Sequence, residues 1–141
     1  MTVSSLMTPN PACCTPDTTI QDVALLMVQH DCGEIPVVRA EDDRRMVGVI
    51  TDRDIVCRVV ASGGNPADEL VEETMTQPPL TVRLDMTLED CLELMETHQI
   101  RRVPVVDEND QCVGIVSQAD IAAGAPPVET GKLVREVSKQ V

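Results

Sequence analysis

Two stretches of the sequence run in step with each other. Met7, Thr19, Met27, His30 and Pro36 recur as Met75, Thr87, Met95, His98 and Pro104, at a constant spacing of 68 positions. Past the Pro-Val-Val run the spacing falls to 66, so Gly48, Thr51 and Asp54 match Gly114, Ser117 and Asp120. The first copy therefore carries two extra residues in the polar stretch Glu41–Arg45, where a hairpin loop tolerates insertion. This duplication restricts the fold more than any other feature. A copy of about 50 residues is marginal on its own, so two copies must pack and share a core. Both copies offer the same apolar surface, and the expected pairing is pseudo-two-fold.

Each copy reads as β-α-β-β-α. An extended segment (Ala12–Thr15; Leu80–Arg83) leads to a helix whose start carries Thr19 with Asp22, or Thr87 with Asp90, in capping-box spacing. Ile20, Val23, Ala24 and Met27 then fall at helical spacing, as do Leu88, Cys91, Leu92 and Met95. Short apolar runs bounded by turn residues predict strands at Ile35–Val38 and Met46–Ile50, and at Val103–Val106 and Val113–Val116. Second helices are expected over about Asp52–Ala61 and Gln118–Ala123, and a C-terminal helix over Lys132–Gln140. The expected architecture is α+β, two pseudo-two-fold repeats packed sheet to sheet plus a C-terminal helix. The divisions are 1–66 (repeat and linker), 67–124 (second repeat) and 125–141 (tail).

The formal charge of −13, from 11 basic and 24 acidic residues, opposes nucleic acid or an anionic membrane as a partner, because phosphate-backbone binding needs a basic face. Phe, Tyr and Trp are absent, which removes the platforms on which single-stranded bases stack. The start MTVSSLMTPNP lacks the charged and apolar regions of a secretory leader, and no apolar run approaches the roughly 20 residues of a membrane helix. A cytoplasmic location is expected. The cysteines at 13, 14, 32, 57, 91 and 112 include several within apolar runs such as VCRVV and CVGIV. They read as small buried hydrophobes in a reducing compartment. No C-x-x-C pair supports a metal site, and the adjacent Cys13-Cys14 leaves a redox or metal sensor as an alternative. Met27 and Met95 read as core, His30 and His98 as helix C-terminal charges, and Asp42, Asp43, Glu108 and Asp110 as solvated loop charge.

Thr51-x-x-Asp54 and Ser117-x-x-Asp120 each follow a strand and open a helix. Two readings compete for them. A hydroxyl at the N-cap leaves backbone N–H groups for a phosphate, and the carboxylate one turn later suits a ribose diol. The same spacing is also a plain capping box. No nucleophile–base pair, Walker loop, zincin helix or paired-carboxylate signature is present, so no enzyme activity is expected.

The pattern T-x-x-x-A-x-x-x-M, then P-V-V, then V-G-h-h-[TS]-x-x-D-I, stated twice, resembles the CBS-domain pair, or Bateman module, of the stand-alone bacterial kind. The resemblance spans roughly Ser5–Ala123. It implies a regulatory module that forms a homodimer and binds an adenosine-containing ligand (AMP, ADP, ATP or S-adenosylmethionine) between repeats. It also implies that no cofactor is required and that the signal passes to a protein effector in trans. Basic residues where Arg101 and Arg102 stand resemble that family's phosphate ligands, and arginine's fork suits a phosphate. By the same resemblance, one cleft joins Ser117, Asp120 and Ile115 with Thr19, Ala24, Cys32 and Gly33 of the other repeat. The other joins Thr51, Asp54 and Val49 with Thr87, Leu92, Ile100 and Arg101. Copy one has Gly33-Glu34 where copy two has Arg101-Arg102, and Leu92 replaces the small Ala24. Binding is therefore expected first, or only, at Ser117/Asp120. A ligand-free interaction module is the further alternative.

Overall fold

The computed structural model describes residues 1–124. The C-terminal helix expected over 132–140 lies outside the described residues. The chain forms two compact units. A first-repeat unit holds Pro11–Pro79 with Asn109–Cys112, and a second-repeat unit holds Met1–Asn10, Leu80–Glu108 and the described residues from Val113 on.

In the first-repeat unit, α2 (Ile20–His30) precedes the hairpin of β2 (Glu34–Ala40) and β3 (Asp43–Thr51). The two strands pair antiparallel, with Ala40 opposite Asp43 and Glu34 opposite Thr51, so the extra residues of the first copy form the turn. Cys14 bridges Val37 in parallel on one edge, and Thr76 bridges Val49 on the other. The helix forms where the apolar period predicts it. Thr19 Oγ1 accepts the Asp22 N–H at 3.2 Å, and Asp31 ends the helix in a left-handed conformation, φ 49°. Its buried stripe of Ile20, Val23 and Met27 packs with Ile35, Val37 and Ile50 from the hairpin and with Val59 and Val71. α4 (Val71–Thr74) closes this core.

The second helix departs from expectation. α3 is only Asp52–Ile55, and the chain continues as a π-helical turn, Val56–Val60. The Ala61 N–H reaches back to the Val56 carbonyl at 2.9 Å. The wider turn keeps Val59 in the core while Val56 and Val60 remain 57% and 60% exposed. It also carries Arg58 to the Thr74 carbonyl at 2.9 Å. Cys57, read as a buried hydrophobe, is exposed on this turn. Position within an apolar run does not decide which way a helical side chain points.

The second-repeat unit repeats the plan with a larger sheet, in the order β1 (Thr8–Pro9), β6 (Cys112–Ser117), β5 (Arg102–Val106), β4 (Val82–Arg83). β4 runs parallel to β5, and β1 runs antiparallel to β6. α5 (Leu88–His98) buries Leu88, Cys91, Leu92 and Met95 against Val103, Val105 and Val116, with Ile121 from α6 (Gln118–Gly124). α1 (Val3–Leu6) places Val3 in the same core, fully buried, which contributes about 1.5–3 kcal/mol. Residues Met1–Asn10 thus open the first repeat in sequence but complete the sheet and core of the second. The Met-Thr pair recurring at 75–76 does the same for the first repeat, through its bridge to Val49.

The α+β expectation of two β-α-β-β-α repeats is met. Met27 and Met95 are core residues, 8% and 0% exposed. Asp43 is not simple loop charge. It begins β3, accepts from Gln111 Nε2 at 3.0 Å and lies 3.6 Å from Arg39. The Gln111 hydrogen bond, and then that from the Arg45 N–H, hold its carboxyl below the usual range. Among the described residues no helix is long and apolar enough to cross a membrane.

Candidate functional site

The strand-to-helix turns of the two repeats share one architecture. In the second-repeat unit, the Asp120 N–H donates to Ser117 Oγ at 3.0 Å, and the Ser117 N–H donates to Asp120 Oδ2 at 3.1 Å. In the first-repeat unit, Thr51 and Asp54 exchange the same two bonds at 3.1 and 3.0 Å. Both turns are therefore reciprocal capping boxes.

Each carboxylate also takes a hydroxyl from the exchanged Met-Thr segment. Thr76 Oγ1 donates to Asp54 at 3.2 and 3.3 Å, and Thr8 Oγ1 to Asp120 at 3.4 Å. That approach requires glycine in the Val-Gly pair of each repeat. A Cβ at Gly48 would stand 2.7 Å from Met75 Sδ and 3.0 Å from the Thr76 carbonyl oxygen. At Gly114 it would collide with Met7 Sδ. Sequence reading matched Met7 to Met75 but missed this use of the threonines that follow them.

The turns differ in charge and in spare capacity. Asp54 is 9% exposed and has Arg58 Nη2 at 3.9 Å. Asp120 is half-buried, with longer bonds to its threonine. The Gln118 N–H donates to the Arg101 carbonyl at 2.8 Å, which fixes the start of β5, with Arg101 and Arg102, against the Ser117–Asp120 turn. The counterpart bond runs from the Asp52 N–H to the Gly33 carbonyl at 2.9 Å. There the strand start carries no arginine: a Cβ on Gly33 would meet Asp52 Oδ2 at 2.8 Å, Glu34 is paired with Thr51 across the hairpin, and the basic side chain that reaches the turn is Arg58, at Asp54. With the Gln118 and Asp120 N–H groups engaged, little of the helix start is left for an anion. The basic residues nearest in the chain path are Arg101 and Arg102, whose backbone the Gln118 bond holds beside the turn.

The other residues singled out from sequence divide between the units. Ile115 and Val49 lie opposite Thr8 and Thr76 on the edge strands. Thr87, like Thr19, is spent as a cap, accepting the Asp90 N–H at 3.1 Å. Ile100 packs on the second-repeat core, where Leu92 is buried. Thr19, Ala24, Cys32 and Gly33 belong to the first-repeat unit. There Ala24, Cys32 and Gly33 are half-buried, and Cys32 packs on the core. A separate recess of about 310 Å³ opens at the Val106 end of β5, lined by Arg83, Asp85, Asp107 and Glu108 among others. Its acidic lining does not suit an anion.

Sequence reading also missed a cluster in the first-repeat unit. Arg44 Nη2 lies 3.0 Å from both the Pro11 carbonyl oxygen and Cys13 Sγ, while Nε donates to the Cys112 carbonyl at 3.1 Å. The Cys112 thiol is within hydrogen-bonding reach of Cys13, and its presence, with burial, holds the Cys13 thiol protonated far above its ordinary range. Cys112 comes from the far end of the chain, so no local spacing announces the pair.

The family model described as CBS domain matches residues 3–61 and 71–125. The CBS domain-containing protein YhcV of Bacillus subtilis is 40% identical over 98% of this chain and 96% of its own length. An uncharacterized protein of Methanopyrus kandleri, MK0525, is 37% identical over 79% of this chain, which spans only 56% of that protein. Among solved structures, Hypoxic Response Protein I, described with two coordinated zinc ions, has a TM-score of 0.80 at 36% identity, covering 89% of this chain and all of the other. The CBS domain protein PAE2072 from Pyrobaculum aerophilum, complexed with AMP, has a TM-score of 0.81 at 26% identity, covering 96% and 99%. The CBS pair of MJ0100, in complex with 5-methylthioadenosine and S-adenosyl-L-methionine, has a TM-score of 0.77 at 28% identity, covering 87% and 98%.

Proposed function

The chain belongs to the CBS-domain family, and from that premise we propose that it is a regulatory module, acting by binding rather than catalysis, whose ligand is an adenosine-containing molecule held first at the Ser117–Asp120 turn. The carrying observation is the bond from the Gln118 N–H to the Arg101 carbonyl, which holds the Arg101-Arg102 backbone beside this turn, where the matching bond in the other unit holds Gly33-Glu34. On a chain of net charge −13, a phosphate or sulfonium-bearing nucleoside meets very different fields at the two turns. The arginines favour AMP, ADP or ATP over S-adenosylmethionine. Asp120, the less buried carboxylate, accepts the ribose hydroxyls. The complexes of PAE2072 and MJ0100 support the ligand class.

The ligand acts by binding one conformation better than another, and the shifted population is read by a protein effector in trans. The six free cysteines agree with a cytoplasmic location. A homodimer is favoured by the exposed apolar residues Leu25 and Val28 on α2, with Val56 and Val60 on the π-helical turn. The aligned positions in α5 are Glu93 and Glu96, so the second copy seats on the first-repeat unit. The same patch favours a second reading, an interaction module with no ligand.

Isothermal titration with AMP, ATP and S-adenosylmethionine tests the proposal. The Arg101→Ala/Arg102→Ala variant should lose ATP affinity at least tenfold, about 1.4 kcal/mol or more, and Asp54→Ala should leave it within a factor of about two. Equal losses, or loss only in Asp54→Ala, overturn the assignment. No heat with any of the three ligands favours the interaction module.

A further inference from the structure

We propose that Cys13 and Cys112 form a reversible disulfide on oxidation by a hydroperoxide, with Arg44 as the residue that positions them. Three contacts of one side chain carry this. Arg44 is bonded to the Pro11 carbonyl and the Cys13 sulfur at 3.0 Å and to the Cys112 carbonyl at 3.1 Å, while its own N–H holds the Gln111 amide oxygen at 2.8 Å. Two segments almost a hundred residues apart in sequence are thus clamped together with their thiols adjacent.

The alternative partner, Cys14, is excluded by its backbone. Its N–H donates to Pro36 at 3.0 Å and its carbonyl accepts from Val38 at 2.9 Å, so it is pinned in extended form on β2. Neighbouring side chains of an extended segment point to opposite faces. The Cys14 side chain accordingly lies in the core, 5% exposed. Cys13 is half-buried and reachable, whereas Cys112 is 2% exposed. Cys13 therefore meets the oxidant and Cys112 resolves it.

In the first step the Cys13 sulfur attacks the peroxide. The O–O bond breaks, an S–O bond forms, and the thiol proton leaves with the alcohol or water produced. In the second step the Cys112 sulfur attacks Cys13. The S–S bond forms, the S–O bond breaks, and water departs with the Cys112 proton. A dithiol reductant reverses the change by exchange. The groups facing Cys13 are Arg44, which favours its thiolate, and Cys112 and Cys14, which oppose it. The reaction is accordingly slow near neutrality and quickens as pH rises.

The full chain is treated with hydrogen peroxide, alkylated and digested with trypsin without reduction. Cys112 is the sole cysteine of the peptide 103–132, and Cys13, Cys14 and Cys32 share the peptide 1–39. The expected product joins these peptides with loss of the two thiol hydrogens. It persists in Cys14→Ser, is absent in Cys13→Ser, and disappears with dithiothreitol. Arg44→Gln should slow Cys13 alkylation about threefold for each unit its acidity is lost, because a tenfold smaller thiolate fraction is partly offset by higher nucleophilicity. In the wild-type chain, a link through Cys14 or Cys32 overturns the proposal. So does Cys13 advancing to the sulfinic acid while Cys112 remains alkylatable.

Discussion

Thr76 Oγ1 reaches both carboxylate oxygens of Asp54, at 3.2 and 3.3 Å, from a segment that opens the second repeat in sequence but packs on the first. Asp54 is 9% exposed, so the hydroxyl replaces water that the carboxylate has lost. Thr76→Val keeps the shape and removes the donor. It should destabilise the protein by about 1–3 kcal/mol, the usual cost of depriving a buried charged acceptor. Thr8→Val, which loses 3.4 Å bonds to a less buried Asp120, should cost less. Urea denaturation of both variants checks the ranking, and an equal or reversed order would contradict it.

Gly48→Ala is expected to cost about 1–3 kcal/mol through overpacking, because the new methyl would meet the Thr76 carbonyl at 3.0 Å as well as a flexible methionine. Gly63→Ala is a useful contrast. No atom lies within 4 Å of the added methyl, so any loss there comes from the φ of +79° alone. Ligand affinity should follow stability in neither case. Denaturant midpoints measured beside titration heats separate the two effects.

Alkaline pH should weaken the fold. Burial pushes the Cys91 thiol up to about 11 and Cys14 to about 12, from 9.0. A raised folded-state pKa means that the unfolded chain releases its protons first. Stability is fully present below pH 9.0 and declines as pH climbs toward 11 and 12. Cys91→Ala should be less stable at neutral pH, by about 1 kcal/mol for the emptied volume, but show a shallower alkaline decline. Thermal melts across this range test it, and parallel curves for the two proteins would refute the assignment.

Val28→Glu and Val60→Glu replace side chains that are 79% and 60% exposed. Exposed changes of this kind normally move stability by less than about 0.5 kcal/mol. Together they should convert the proposed homodimer to a monomer by light scattering, with the melting temperature of the monomer little altered. A mass that does not change would remove this face as the dimer contact.

Much of the fold was legible because duplication and period reinforce each other. Ile20, Val23 and Met27, and again Leu88, Cys91 and Met95, lie in the cores where helical spacing puts them. The capping threonines and strand-to-helix turns also form as read. What escaped the sequence depends on contacts across long separations. The exchange of Thr8 and Thr76 between repeats, and the meeting of Cys13, Arg44 and Cys112, have no local period to reveal them. The π-helical turn at Val56–Val60 was missed for another reason: its β-branched apolar run matches an ordinary helix, and only the placement of Val59 and Arg58 selects the wider turn.

The pairing of Thr8-Pro9 with Gly114-Ile115 has a consequence for synthesis. Thr8 and Pro9 leave the ribosome more than a hundred residues ahead of the strand they pair with, and must wait, strandless, until it follows. Local helices form in microseconds or less, but closure of this sheet is a late event, held back by the long loop it must span. Until then Val3 and Leu6 are open to any chaperone that greets a nascent chain.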